Sequence, residues 1–163
     1  MNILGIDPGI NGALALYDTA TGDVQLYRMP ITKSTRGGKS RSEIDGYALG
    51  ALIDDLKPQV KKAVVEQVSG RPGQAGQYQF GLNCGVLHGV LYANLIPLDL
   101  VPSNKWKPFV GLRRAINQSK ADMKLAARRL ATMKWPHLAK EFSRVKDDGV
   151  AEAALIAVYG AAL

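Results

Sequence analysis

The opening run, NILGIDPGINGALALYD, constrains the fold more than any other stretch of the chain. Asn2 to Asp7 reads as a strand with apolar side chains on both faces, which suits the middle of a sheet covered on both sides. An acid, Asp7, closes it. A carboxylate at a buried strand end is costly unless donors or a cation meet it. Pro8 and Gly9 break the strand, Asn11-Gly12 is a two-residue hairpin signal, and a second apolar run, Ala13 to Tyr17, follows at once. One carboxylate therefore sits beside a tight turn in the centre of a sheet. Its plainest role is an Asx-turn that shapes the corner. The other acids of the chain offer it a second.

Val24 to Met29 supplies a third strand, ended by Pro30, so the first three strands form an antiparallel meander. Residues 32–42, TKSTRGGKSRS, are basic, small and Gly-rich and read as a flexible surface loop. Four cations gather there, Lys33, Arg36, Lys39 and Arg41, and suit phosphate contacts. A helix is expected from Ser42 to about Lys57, burying Tyr47, Leu49, Leu52, Ile53 and Leu56 before Pro58 stops it. Lys61 to Val68 reads as a fourth strand, with Glu66 near its end, and SGRPGQAGQ after it as a loop. Gln77 to Leu95 follows as a helix on which Gly81, Gly85 and Gly89 recur every fourth residue and share one face, a surface for close packing of a sheet or a partner helix.

Ile96 to Val101 is the fifth strand. The next segment, PSNKWKPFVGLRRAINQSK, is basic with Trp106 and Phe109 interleaved. A helix from about Ser119 to Met133 carries Lys120, Lys124, Arg128 and Arg129. The last helix begins near Asp148 and runs to the C-terminus. This order predicts one α/β domain over 1–163, with a five-stranded mixed sheet, three strands antiparallel and then two parallel, flanked by helices.

The 21 Lys and Arg against 14 Asp and Glu leave a net charge of +7, which points to a polyanionic partner, nucleic acid first. The single Cys84 excludes an intramolecular disulfide and a Cys-based zinc site. No apolar run reaches membrane-spanning length and no signal peptide is visible, so a cytoplasmic protein without a membrane partner is expected.

Carboxylates fall where the pattern is otherwise apolar at Asp7, at Glu66, and at Asp148 and Glu152 on the last helix. The last two are four residues apart, about 40° around the helix, so both can point at one spot; Asp147 is about 140° from Glu152 and fits poorly. If the first and fourth strands are neighbours, Asp7 and Glu66 meet at one sheet edge under that helix. Clustered carboxylates repel unless cations sit among them. Oxygen ligands favour Mg²⁺ or Mn²⁺, and two such ions about 4 Å apart serve phosphodiester cleavage. Each acid also has a plainer role: Glu66 in an ion pair, Asp148 as an N-cap, Glu152 against the helix dipole.

Taken together, the opening ILGIDPG with Asp7, the VVEQV strand with Glu66 and the terminal DDGVAEAALIA helix resemble the RuvC family of Holliday junction resolvases, within the RNase H-like superfamily. The similarity spans essentially the whole chain. It implies a Mg²⁺-dependent endonuclease, with Mn²⁺ as a substitute and no small-molecule cofactor, that acts as a homodimer and makes paired symmetric nicks in four-way DNA. Asp7 and Glu66 match the first two catalytic acids. Glu152 matches the last, where the bacterial enzymes usually carry Asp. Their other helix ligand lies three residues earlier, which is Gly149 here, so Asp148 is the nearest replacement. That departure makes the chain more similar to the bacteriophage-type branch, which implies a host cytoplasm. Lys120 resembles the family's lysine near the scissile phosphate, and Lys105 or Lys107 a second one. The resemblance implies metal ligation by Asp7, Glu66, Asp148 and Glu152, with Lys120 stabilising developing charge.

Phosphate contacts are expected from Lys33, Arg36, Lys39, Arg41, Lys105, Lys107, Arg113, Arg114, Lys120 and Lys124, so binding should weaken steeply with salt. Trp106, Phe109, Tyr78 and Phe80 are candidates to stack at an opened base pair. Three rivals stand beside this reading. One is another nuclease of the superfamily, acting on branched DNA or RNA. The second is a junction-binding protein that does not cut. The third, an actin-like phosphotransferase, would need a second domain and Gly-rich phosphate loops.

Overall fold

The computed structural model describes residues 1–68 and 75–163. The loop read over SGRPGQAGQ lies mostly outside the described residues, as does the side chain of Arg36. Five strands form the main sheet: β1 (Asn2–Asp7), β2 (Ala13–Asp18), β3 (Val24–Arg28), β6 (Val60–Gln67) and β7 (Leu98–Pro102), in the order β3-β2-β1-β6-β7. β1 pairs antiparallel with β2 and parallel with β6, and β6 pairs parallel with β7. The mixed five-stranded sheet is thus the one expected, with the acid-ended strand at its centre.

Both faces of β1 are covered, which accounts for its unbroken apolar run. Leu4 and Ile6 join Leu14, Leu16, Ala63 and Val65 against Leu49 and Ile53 of α1 (Gly46–Leu56) and Leu87 and Leu91 of α2 (Gln77–Ala93). Ile3, Ala13, Ala15 and Val64 face the other way, with Trp106 of α3 (Ser103–Phe109), Ala127 and Ala131 of α4 (Lys120–Lys134) and the apolar run of α5 (Asp148–Gly160). Gly5 lies on this second face. A β-carbon there would strike the backbone of Ala153 and Ala157, so α5 lies directly on β1.

Three expectations are corrected. Residues 31–44 are not a loop but a separate two-stranded ribbon, β4 (Ile31–Arg36) and β5 (Lys39–Ile44), with Arg36 opposite Lys39. Gly37 and Gly38 turn it, with φ of 58° and 73°, the positive values that a two-residue hairpin turn requires. The ribbon displaces the start of α1 from Ser42 to Gly46. Asp45 is the cap, accepting hydrogen bonds from the N–H groups of Tyr47 and Ala48 at 3.0 Å each. Tyr47, expected inside, then falls on the outer face and is 95% exposed. The basic segment after β7 is likewise partly helical, as α3, in spite of Pro108.

Among the described residues no helix is long and apolar enough to cross a membrane.

Candidate active site

Alternation along the strands aims the first two acids. Side chains two apart share a face, so Asp7 follows Ile3 and Gly5 onto the α5 side, and Glu66 follows Val64. Ile6 stands opposite Val65 in the parallel β1–β6 pair, so Asp7 and Glu66 leave the same end of the sheet. The turn beyond Asp7 is held by the Gly12 N–H donating to Gly9 O at 2.8 Å, and Asp7 Oδ1 accepts the Gly9 N–H at 3.4 Å. The Asx-type contact of the plain reading therefore exists, and it leaves Oδ2 free of it. The α5 helix brings Glu152 over the pair.

The electrostatics record this convergence. Burial, then the charges of Glu152 and Glu66, push Asp7 up from 3.8 to about 7, against the Gly9 N–H and Lys124. Glu66 is also raised, by burial and Glu152, while Lys107 and the Trp106 indole pull it down. Three carboxylates share one poorly solvated spot with too little positive charge between them.

The cations around them are specific. Lys107 Nζ lies 2.9 Å from Glu152 Oε1, which selects Lys107 over the exposed Lys105 as the lysine at the acids. Asp148 is turned toward α4, where Arg128 Nη1 lies 2.6 Å and Lys124 Nζ 3.4 Å from its carboxylate. Asp147 is fully buried and bound to Arg28 at 2.8 Å and to Arg144 at 3.0 Å. Burial alone would raise it; the Arg144 and Arg28 hydrogen bonds hold it near 2. Neither aspartate is directed with Glu152 at Asp7.

Gly149, at the position of the family's other helix ligand, has a steric reason to lack a side chain. A β-carbon there would meet Asn11 O, Gly12 Cα at 2.7 Å and Asp7 Oδ2 at 2.9 Å. The first turn of α5 is pressed against the Asp7 turn, and a ligand side chain fits only if the helix retreats.

The donor chemistry at Asp7, Glu66 and Glu152 fits a hard divalent cation, which would supply the missing positive charge. Among the described residues no group of three or more His, Cys, Asp or Glu side chains is already gathered closely enough to hold a metal ion. A cation of the chain, Lys107, sits on Glu152 instead.

Beside the acids a cavity of about 680 Å³ opens between α3 and α4, lined by Lys107, Arg113, Arg114, Lys120, Lys124 and Glu152 among others. Five of the ten cations singled out in the sequence thus meet at one place. Lys33, Lys39 and Arg41 form a second group, exposed on the ribbon. The ribbon springs from the acid end of the sheet: the Met29 N–H, between β3 and β4, donates to Gly12 O at 3.2 Å.

Of the aromatic candidates, Trp106 is fully buried and Phe109 packs edge-on against Tyr159 at 5.2 Å between ring centres. Trp106 has a part that the sequence did not reveal. Its Nε1–H is buried without a hydrogen-bond partner of standard geometry, yet it lies near enough to Glu66 to favour the ionised form. Trp106→Phe is expected to move the Glu66 carboxyl further up. Carbon-detected NMR titration of that carboxyl reads the shift, and an unchanged midpoint would show that the indole plays no electrostatic part.

Sequence comparison alone finds no match, neither to a family model nor to a curated protein. Structure comparison does. Thermus thermophilus RuvC in complex with Holliday junction substrate aligns with a TM-score of 0.57 over 99% of this chain and 93% of that one, at 16% identity. Fowlpox virus resolvase in complex with substrate Holliday junction DNA gives 0.51 over 98% and 96%, at 12% identity. A further Thermus thermophilus RuvC structure gives 0.50 over 99% and 95%, at 17%.

The chain has the fold of the RuvC structures. Within that fold the three carboxylates stand where β1 and β6 end beneath the last helix. At these identities the likeness speaks for architecture, and chemistry rests on the residues themselves.

Proposed function

We infer that this protein is a structure-selective endonuclease that nicks four-way DNA junctions. One observation carries the reading: Asp7, Glu66 and Glu152 converge at the sheet end, next to a cavity walled by five Lys and Arg side chains. The same architecture in solved resolvases bound to Holliday junction DNA supports the choice of substrate.

Asp7, Glu66 and Glu152 would hold Mg²⁺ or Mn²⁺. The cation would supply charge stabilisation for the attacking and leaving oxygens of the phosphodiester. Lys107 lowers the cost of ionising Glu66, Lys124 that of ionising Asp7, and both present positive charge to the phosphate. Lys120, which lines the cavity, stabilises charge developing on the phosphate oxygens. Arg113 and Arg114 hold the flanking backbone, and Lys33, Lys39 and Arg41 on the ribbon hold a more distant arm. Asp148 acts through its clasp with Arg128 and Lys124, which fixes α4 against α5. A homodimer suits a two-fold substrate. The α2 helix supports it, because it contains no Asp, Glu, Lys or Arg and exposes Tyr78, Gly81, Gly85, Gly89 and Tyr92.

A second reading, junction binding without cleavage, is favoured by one feature: Asp148 and Glu152 are both already paired with cations. The test is cleavage of a labelled synthetic four-way junction against linear duplex, with Mg²⁺, by the wild type and Asp7→Asn. Paired nicks in the junction alone, lost in Asp7→Asn while junction binding persists, are expected. Tight junction binding without cutting, in Mg²⁺ and in Mn²⁺, would establish the second reading instead.

A further inference from the structure

The cavity between α3 and α4 is more than a patch of positive charge. Its lining joins apolar side chains, Pro108, Leu112 and Met123, to the charges of Arg113, Lys120 and Lys124. Phosphate alone needs no apolar lining. At about 680 Å³ the space lies within the roughly 300–1,000 Å³ typical of sites that enclose a small organic group. A flat apolar body joined to an anion is what this lining would recognise, and in nucleic acid that is one unstacked nucleotide.

The neighbouring turn supplies a second observation. Ile116 is fully exposed, at 102%, and stands at the apex of an ordered loop. Arg114 Nε donates to Gln118 O at 2.9 Å, the Ala115 N–H to Gln118 Oε1 at 2.9 Å, and the Gln118 N–H to Ala115 O at 3.1 Å. Ser119 then caps α4 through a reciprocal bond with Asp122. These bonds hold a branched apolar side chain out in water. On either side of it in the chain are cations that line the cavity. Apolar wedges of this kind enter base steps and fill the gap a displaced base leaves.

We propose that the cavity between α3 and α4 receives one unstacked nucleotide of the bound DNA, and that Ile116 is the wedge that takes its place in the stack. The proposal rests on the junction-nuclease reading for the source of that nucleotide. At the crossing of a four-way junction a base is already short of stacking partners, so the cost of displacing it is lowest there.

The experiment uses the full chain, EDTA, and junctions carrying 2-aminopurine at successive positions around the crossing, with linear duplex alongside. A fluorescence rise at one position on junction binding is expected from the wild type. Ile116→Ala should lose the rise while binding the junction about five- to tenfold more weakly, because the apolar wedge between the base steps is gone. Met123→Trp, which fills the cavity, should lose the rise too. Since Ile116 touches nothing in the fold, its substitution leaves the structure intact. Junction binding without a rise at any position overturns the subsite and leaves the junction reading standing. A rise on duplex as well as junction supports the subsite and overturns junction selectivity. No selective binding and no rise overturns both. Binding of 2-aminopurine deoxyribonucleoside monophosphate itself, with no signal from the junction, would assign the cavity to a free nucleotide and overturn the proposal.

Discussion

Asp7→Asn is expected to make the metal-free protein more stable above neutral pH. Asp7 is raised from 3.8 to about 7, by burial first and then by Glu152 and Glu66. The folded state therefore holds this proton more tightly than the unfolded chain does. The sign follows from proton linkage: stability is greatest below about pH 4 and falls as pH climbs through about 7, where Asp7 must ionise beside two other carboxylates. At 1.36 kcal/mol per pH unit the loss approaches about 4 kcal/mol, and relaxation of Glu66 and Glu152 would reduce it. Asn keeps the shape and the acceptor for Gly9 but removes the charge. Urea unfolding in EDTA at pH 5 and pH 8 reads the effect. The variant should gain most at pH 8, and equal stability of wild type and variant there would contradict the electrostatics of the site. Adding Mg²⁺ should recover stability in the wild type and not in the variant, a readout of cation binding that does not depend on cleavage.

Gly5→Ala should act through geometry alone. The new β-carbon would run into the backbone of Ala153 and Ala157, and backbone cannot yield as a flexible side chain does. Overpacking of this kind costs about 1–3 kcal/mol, occasionally more. The functional loss should exceed the loss of stability. α5 can relieve the clash only by lifting off β1, and that movement carries Glu152, the residue before Ala153, away from Asp7 and Glu66. Thermal unfolding and junction cleavage measured together test this. A variant that unfolds several degrees below the wild type, still folds and binds the junction, and has lost cleavage is the expected outcome. A variant with normal cleavage would mean that the close seat of α5 is not what positions Glu152.

Much of the site could be read along the chain because its parts are local patterns. An unbroken apolar strand ending in Asp7, a second ending in Glu66, and a helix of small apolar residues carrying Glu152 are each visible within ten residues. Their order left it as a condition that the first and fourth strands be neighbours, and the pairing of β1 with β6 meets it. The ribbon of residues 31–44 was not legible, because neither face is apolar enough to impose the alternation that marks a strand; two glycines at positive φ and the cross-strand ladder make it.

The clearest division lies in the last helix. Its sequence determines that Asp148 and Glu152 lie about 40° apart on its surface, and nothing more. Tertiary packing separates them. Arg128 and Lys124 on α4 draw Asp148 to one side, while Lys107 on α3 and the sheet end draw Glu152 to the other. The choice of Lys107 over Lys105, the burial of Trp106 and the lack of room for a side chain at Gly149 were decided in the same way. Each depends on which neighbour stands opposite a side chain, and periodicity along one element carries no information about its neighbours. The order of residues set the charges and the strands and helices that bear them; packing between elements chose which of those charges meet.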